Sequence, residues 1–200
     1  RRKYLPAEKY YENYPKVHKY LKEMNREVLS NYKNKLTMGQ TSGVNPEQAY
    51  LYTDKSREEL NLFLQFEHID FDRGPNNTKL PFNPLTFKRC LAKWQTALDG
   101  RLWNTLFLGS HDAPRPVSHY GDDNDYRIES AKMLATILFT LKGTPIIYQG
   151  EEIGMTNVRF KNIEDYKDIR AHNMFTERHI QNGEDFNKVM GDIWQLSRDN

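Results

Sequence analysis

The sequence predicts an α/β fold with a parallel sheet, amounting to about half of an eight-stranded barrel. The first observation is alternation: short apolar runs typical of strands are separated by segments with helical spacing, which is the order of βα units. The second is that three apolar runs stop at polar, reactive side chains, as strands do at the C-terminal face of a barrel. Those runs end at Gln40, at His111 and Asp112, and at Tyr-Gln-Gly-Glu-Glu over 148–152.

Helices and strands follow one another along the whole chain. Residues 1–15, rich in Tyr and Lys, are predicted to form a surface loop, and 15–29 have the apolar spacing of a helix. Asn45 and Pro46 mark a helix start, because Asn caps helices well and Pro suits the first helical position. The remaining predictions are strands over 36–39, 60–67, 103–108 and 144–148, helices over 85–98 and 128–141, and a last helix around 186–194.

Two of these helices carry a prediction about burial. The helix over 128–141 is so apolar that we expect it to be mostly buried, and Gly143 is expected to end it in the left-handed conformation. Cys90 lies on the apolar side of the helix over 85–98, which predicts a buried, inert thiol.

Composition excludes several classes of function. With 200 residues and 38% hydrophobic content the chain can form one core, but a complete barrel needs about 250 residues. The net charge is +2 with mixed signs, so we expect no nucleic-acid partner. No apolar run reaches about 18 residues and no signal peptide is visible, so we expect no membrane partner and a cytoplasmic location. One cysteine and six scattered histidines give no metal framework, and no cofactor is expected in this segment.

The runs over 36–40, 106–112 and 144–152 together resemble the alpha-amylase superfamily of glycoside hydrolases. The resemblance is greatest to its oligo-1,6-glucosidase and alpha-glucosidase branch, and it extends from about residue 18 to residue 200. It implies that residues 1–200 are the C-terminal half of a (β/α)8 TIM barrel, about strands five to eight. It also implies that the first half of the barrel and a C-terminal β domain lie outside this chain. A structural calcium ion, where the family has one, would belong to that first half.

The resemblance assigns two catalytic positions. Gln40 stands where the family has its general acid/base, a Glu, and an amide has no proton to transfer at ordinary pH. Loss of a general acid slows a reaction by about 10²–10⁴-fold, so the chain as it stands is predicted to be inactive. Asp112 matches the family's transition-state stabiliser, because a carboxylate lowers the energy of the developing cation.

The resemblance also implies four substrate-binding positions. His111 binds the same sugar as Asp112, and Arg198, in Ser-Arg-Asp-Asn over 197–200, contacts the sugar at the cleavage subsite. Phe66 matches a position on the acceptor side of the cleft. Arg170 stands where relatives often carry Glu, which makes the acceptor specificity uncertain.

Two departures from the family's pattern bear on function. The family's nucleophile is an Asp in an Arg-x-Asp context, and no such string occurs in residues 1–35. Sucrose isomerases place an aromatic clamp where this chain has Ser42, which argues against that branch.

Three functions stay open on this sequence. The first is a retaining, exo-acting alpha-glucosidase that hydrolyses short alpha-glucosides such as isomaltose and maltose, so that the expected partner is a disaccharide or small oligosaccharide. The second is a non-catalytic relative, such as the transporter heavy chains that resemble alpha-glucosidases, although the presence of His111, Asp112 and Arg198 argues against it. The third is a glucosyl-transferring sucrose isomerase or a relative of trehalose-6-phosphate hydrolase.

Overall fold

A computed structural model describes residues 8–74 and 78–198 of the chain. The chain divides into two compact units. Unit 1 takes its described residues from 8–68, 88–106 and 142–144, and unit 2 takes them from 69–74, 78–87, 107–141 and 145–198. Half of the predicted N-terminal loop and the last two residues of the Ser-Arg-Asp-Asn string lie outside the described residues.

Helices dominate the secondary structure, and the strands are short. The α-helices of the described residues are α1 (Glu8–Tyr11), α2 (Lys16–Glu27), α3 (Pro46–Thr53), α4 (Glu67–Asp70), α5 (Pro84–Leu98), α6 (Pro116–Tyr120), α7 (Arg127–Thr140), α8 (Ile169–Phe175) and α9 (Phe186–Leu196). The strands are β1 (Met38–Gln40), β2 (Leu62–Leu64), β3 (Thr105–Leu106) and β4 (Thr144–Pro145). Short 3₁₀ turns cover Leu29–Asn31, Lys55–Arg57, Glu151–Ile153 and Ile163–Asp165, and one π-helical stretch covers Thr176–Gln181.

Unit 1 contains a complete βαβ connection. β1 and β2 pair in parallel, with Met38 opposite Leu62, and α3 lies between them in the chain. The predicted cap of α3 is confirmed: Gln48 N donates to Asn45 Oδ1 at 2.8 Å, and Asn45 N donates to Gln48 Oε1 at 3.0 Å. A parallel pair joined by a helix is the repeating unit of α/β barrels.

The core of unit 1 covers one face of this connection. It comprises Val44, Ala49, Tyr52, Phe63, Cys90, Trp94 and Leu98. The prediction for Cys90 is confirmed, since its side chain is buried and burial, with the nearby Glu67 carboxylate, raises the pKa of the thiol to about 12. A thiol with that pKa carries almost no thiolate at neutral pH and is unreactive.

The strands are shorter than predicted, and within the described ranges they form two separate two-stranded sheets, β1–β2 and β3–β4. Pro145 has no N–H to donate, so the ladder of β4 ends at once. After Leu64 the chain turns away from the sheet, because Gln65 Oε1 accepts from Glu67 N at 2.8 Å and α4 begins there. Side-chain patterns predict where strands start, but hydrogen-bonding partners decide how long they run.

Gly143 has a different role from the predicted one. α7 ends at Thr140, and Leu141 follows in an extended conformation, so Gly143 is not the residue that ends the helix. Its φ is +155°, and a Cβ there would lie 2.7 Å from the Asn104 carbonyl oxygen. Glycine is needed because the backbones approach closely where Thr144 N donates to Asn104 O at 2.9 Å.

Unit 2 is organised around α8 and α9. Its core comprises Ile163, Tyr166, Ala171, Met174, Val189, Met190, Ile193 and Leu196. The predicted C-terminal helix is confirmed as α9, and Asp185 Oδ1 caps it by accepting from Lys188 N at 2.9 Å. No helix among the described residues has the length and apolar character needed to cross a membrane.

The prediction that α7 is mostly buried is wrong. Only Ser130, Leu134 and Leu138 are buried, whereas Ile128, Met133 and Phe139 are 54%, 48% and 58% exposed. The helix has apolar side chains on more than one face, and the described residues cover only one of them.

Candidate active site

In unit 1, two predicted site residues lie at the C-terminal edge of the β1–β2 sheet. Gln40 is the last residue of β1, and its side chain is exposed. It lies opposite Leu64, the last residue of β2, and Phe66 follows two residues later. Because parallel strands end at the same edge, Gln40 and Phe66 lie near the same edge of this sheet.

Two contacts hold β1 in place next to this edge. The backbone N–H and the hydroxyl of Thr41 both donate to Leu64 O, at 3.0 and 2.9 Å. A Cβ on Gly39 would come 2.5 Å from Leu60 Cδ1, so the Leu60 side chain packs directly against the backbone of β1. Gln40 therefore extends from a backbone that is restrained on both sides.

The segment around Phe66 is held by buried polar contacts. Gln65 and His68 are buried, and Gln65 Nε2 lies 3.0 Å from His68 Nδ1. Glu67 accepts from Lys93 Nζ at 2.9 Å and from Trp94 Nε1 at 2.8 Å. Phe66 itself is half-buried, so part of its ring is available at the sheet edge.

In unit 2, predicted site residues lie on the turn that carries His111 and Asp112. Ala113 N donates to Ser110 O at 3.1 Å, and Asp112 N donates to Ser110 Oγ at 3.2 Å. His111 Nε2 lies 3.2 Å from Asp112 Oδ2, and the side chains are 72% and 39% exposed. Both side chains therefore offer polar atoms to a ligand.

Arg198 joins Asp112 to a second carboxylate. Its Nη1 donates to Asp112 Oδ1 at 2.6 Å, while Nη2 and Nε donate to the two oxygens of Asp168 at 3.0 and 3.2 Å. The hydrogen bond to Asp168 raises the pKa of Arg198 further. The structure thus brings together three predicted residues, His111, Asp112 and Arg198.

Asp168 was not predicted as a site residue. Its side chain is 6% exposed, and it also accepts from Arg170 N at 2.9 Å. Burial alone would raise the pKa of Asp168, but the hydrogen bonds from Arg198 and from the Arg170 backbone hold it below its ordinary value. Thirty residues separate Asp168 from Arg198, so no local sequence signal could have paired them.

Arg170 lies beside this network in a narrow crevice. The crevice is also lined by Arg73, Asp168 and Ser197. Burial, followed by the positive charges of Arg73 and Arg198, lowers the pKa of Arg170. The positive charges of these guanidinium groups therefore repel one another, as they do at a surface that binds an anion.

The segment after β4 holds the far end of the turn. Arg115 N donates to Asn157 Oδ1 at 2.7 Å, and the Arg115 guanidinium donates to Gln149 O and packs 4.9 Å over the Tyr148 ring. No group of three or more His, Cys, Asp or Glu side chains that could hold a metal ion occurs within 8–74 and 78–198.

Comparison with known proteins identifies a family and several relatives. The family model for the catalytic domain of alpha amylase matches residues 2–200. The oligo-1,6-glucosidase of Parageobacillus thermoglucosidasius is 54% identical over 201 residues, covering 100% of this chain and 36% of that protein. The chain therefore spans about a third of the length of such relatives.

Solved structures agree with this comparison. The structure of Bacillus licheniformis trehalose-6-phosphate hydrolase matches with a TM-score of 0.87 and 40% identity over 99% of this chain and 36% of that one. Isomaltulose synthase from Klebsiella sp. LX3 matches with a TM-score of 0.84 and 37% identity over 93% of this chain and 34% of that one.

Proposed function

The chain belongs to the alpha-amylase catalytic-domain family, and from this we propose that the protein containing it is a retaining, exo-acting alpha-glucosidase. The family gives the chain a TIM-barrel fold. In our proposal residues 1–200 supply about strands five to eight, and the first half of the barrel and a C-terminal β domain belong to the rest of the protein. The proposed substrates are short alpha-glucosides of the isomaltose and maltose type.

The observation that supports this proposal is the Asp112–Arg198–Asp168 network. Glycoside hydrolysis passes through an oxocarbenium-like state, which a fixed carboxylate stabilises. Asp112 is held at 2.6 Å by Arg198, and Arg198 is itself fixed by two hydrogen bonds to Asp168. In the proposed mechanism Asp112 stabilises the developing cation and binds sugar hydroxyls, while His111 and Arg198 bind the same sugar.

We propose that Gln40 occupies the general acid/base position, with an amide in place of the carboxyl group. The NH₂ group can donate a hydrogen bond to the glycosidic oxygen, but it cannot transfer a proton to the leaving group. Substrates that need protonation should therefore be the slowest. The nucleophile, which the proposal places elsewhere in the barrel, would still react with a substrate whose leaving group departs without help.

The test is Gln40→Glu in the full-length protein. We expect kcat/KM for isomaltose or maltose to rise about 10²–10⁴-fold, and kcat/KM for a glucosyl fluoride, which reports the glycosylation step alone, to change little. Turnover of the fluoride should still rise, because a carboxylate at position 40 can take a proton from the water that hydrolyses the glycosyl-enzyme intermediate. Asp112→Asn in the Gln40→Glu background should abolish both activities. Gln48→Glu is a matched control, because the capping box of α3 accepts either residue.

The same experiment separates the alternatives. If both substrates stay equally slow after Gln40→Glu, Gln40 is not the acid/base position, and the non-catalytic, sugar-binding relative is the better proposal. If sucrose is rearranged rather than hydrolysed, the protein is a glucosyl-transferring sucrose isomerase.

One observation favours a second candidate among the hydrolases. The crevice beside Asp168 contains Arg73 and Arg170, and such a pair suits a substrate with an anionic group on its acceptor sugar. A trehalose-6-phosphate hydrolase is among the solved relatives. We therefore propose phosphorylated disaccharides as the second substrate class, to be compared directly with their neutral forms.

A further inference from the structure

A carboxyl group that has no role in the mechanism above lies against the turn that carries Asp112. Glu151, in the 3₁₀ turn after β4, lies against the backbone of Gly109, three residues before Asp112. A Cβ on Gly109 would come 2.5 Å from Glu151 Oε1 and 2.9 Å from Pro116. Only glycine allows the Glu151 carboxyl to approach the turn this closely.

The Glu151 carboxyl is only partly satisfied. Its Oε1 is buried and has no hydrogen-bond partner among the described residues. The Tyr148 backbone amide donates a hydrogen bond to the carboxyl group, and Arg115 lies within electrostatic range. A buried, ionised oxygen without a partner is far more costly than a neutral one. The geometry therefore favours a neutral carboxylic acid.

Arg115 connects Glu151 to the other end of the turn. The Arg115 guanidinium donates to Gln149 O and packs over the Tyr148 ring, so the residues around Glu151 contact the turn at Gly109 and again at Arg115. Asp112 lies between these two contact points. If the Glu151 carboxyl moves, the turn should move with it and displace Asp112.

We propose that Glu151 is a positioning residue for Asp112, and that it holds the turn as a neutral carboxylic acid. Its loss of a proton would leave a buried carboxylate against Gly109, so that the carboxyl and the turn separate. The inference rests on the proposed function of Asp112, and it gives a role to Glu151, whose run over 148–152 carried the resemblance without an assigned function.

The electrostatic surroundings support this proposal. Burial raises the pKa of Glu151 to about 7; the Tyr148 amide and Arg115 oppose the shift, and Glu152 adds to it. Glu151 also faces an apolar cavity of about 440 Å³ beside α7, where the other charged residues are Arg127, Lys132 and Glu152. Arg127 is engaged with the carbonyl oxygens of Ile153 and Gly154, at 3.1 and 2.9 Å, rather than with Glu151.

Gln40 makes this proposal easy to test. In a glycosidase with a glutamate acid/base, loss of the proton from that group causes the alkaline decline in rate. An amide at position 40 does not titrate, so an alkaline decline near pH 7 has to come from another group.

The experiment measures kcat/KM for a glucosyl fluoride between pH 5.5 and 8.5 in the full-length protein. For one group with a pKa of about 7, we expect kcat/KM at pH 8 to be about a tenth of its value at pH 6. Glu151→Gln, a neutral isostere, should keep the pH 6 value within about twofold and remove the decline. Glu129→Gln, which changes an exposed carboxylate on α7, should keep the decline.

A binding measurement makes the result independent of turnover. Maltose affinity, measured by calorimetry at pH 6 and pH 8, should weaken at pH 8 in the unmodified protein and stay constant in Glu151→Gln. If hydrolysis is absent but this difference appears, the proposed function fails and the positioning role of Glu151 stands. Persistence of the alkaline decline in folded Glu151→Gln, or an equal loss of activity at every pH, would overturn the proposal.

Discussion

Replacing Asp168 by Asn tests whether the second carboxylate behind Arg198 positions Asp112. The substitution keeps the shape of the side chain but replaces one acceptor oxygen with a donor NH₂ group. Asp168 accepts from Arg198 Nη2 at 3.0 Å, from Arg198 Nε at 3.2 Å and from Arg170 N at 2.9 Å. At least one of the bonds to the guanidinium must be lost.

The size of the effect follows from burial. A hydrogen bond between charged groups contributes about 1.5–3 kcal/mol, and the Asp168 side chain is 6% exposed. Arg198 is 22% exposed, so solvent reduces this value and we expect a loss of about 1–2 kcal/mol in folding free energy. If Asp112 also loses its orientation, kcat/KM should fall about 10–100-fold, equivalent to about 1.4–2.8 kcal/mol.

The assay combines kcat/KM for a glucosyl fluoride with thermal unfolding of the full-length protein. Asp165→Asn is the control, because Asp165 is exposed and has one weak contact, with Asn162 Nδ2 at 3.3 Å. We expect Asp168→Asn to lower both quantities and Asp165→Asn to change neither. Equal behaviour of the two variants would refute the role of Asp168.

The pH dependence gives a second check on Asp168. The pKa of Asp168 is lower in the folded protein than its ordinary value. Its contribution to the free energy of unfolding is therefore present above the unfolded pKa of about 3.9, and it is lost as the pH falls through the folded pKa. The stability difference between the protein and Asp168→Asn should therefore be full at pH 6 and shrink on acidification below pH 4.

Three further predictions concern specificity, reactivity and packing. Arg170→Glu should raise KM for a phosphorylated disaccharide at least tenfold more than it raises KM for the neutral disaccharide, and Arg73→Gln should act in the same direction. Equal effects on the two substrates would contradict an anion site. Cys90 should react with a thiol reagent at pH 8 only after unfolding, because its thiol has a pKa of about 12; rapid labelling of the native protein would contradict its burial. Gly143→Ala should destabilise the protein by about 1–3 kcal/mol, because the new Cβ at position 143 would lie 2.7 Å from Asn104 O. The measurement is thermal unfolding with exposed Gly183→Ala as the comparison, and an unchanged midpoint for Gly143→Ala would contradict the close approach.

The predictions that the structure confirms are those that depend on neighbours in the chain. The cap at Asn45 depends on Gln48 three residues later, and the apolar face of α5 depends on a spacing that a helix imposes by itself. The end of the strand at Gln40 was also correctly located, because the apolar run stops there. Such features need no knowledge of the rest of the fold.

The errors in the predicted elements have the opposite origin. The apolar run over 144–148 is typical of a strand, but only Thr144 and Pro145 pair with β3. The apolar sequence of α7 predicts burial, but burial also requires another element on each face. In both cases the decisive partner is distant in the chain, and the local pattern contains no information about it.

The sequence by itself determined the family and the helices α2, α3, α5, α7 and α9, because each rests on a short string or on a local period. It also singled out Gln40, His111, Asp112 and Arg198 as predicted site residues. Only the tertiary structure decided which of these side chains lie in contact. Asp168 contacts Arg198 across 30 residues, and Glu151 lies against Gly109 across a turn, two helices and a strand. Ion pairs and burial depend on distances in space, and burial, which the neighbouring residues in the chain do not predict, raises the pKa of Glu151 to about 7.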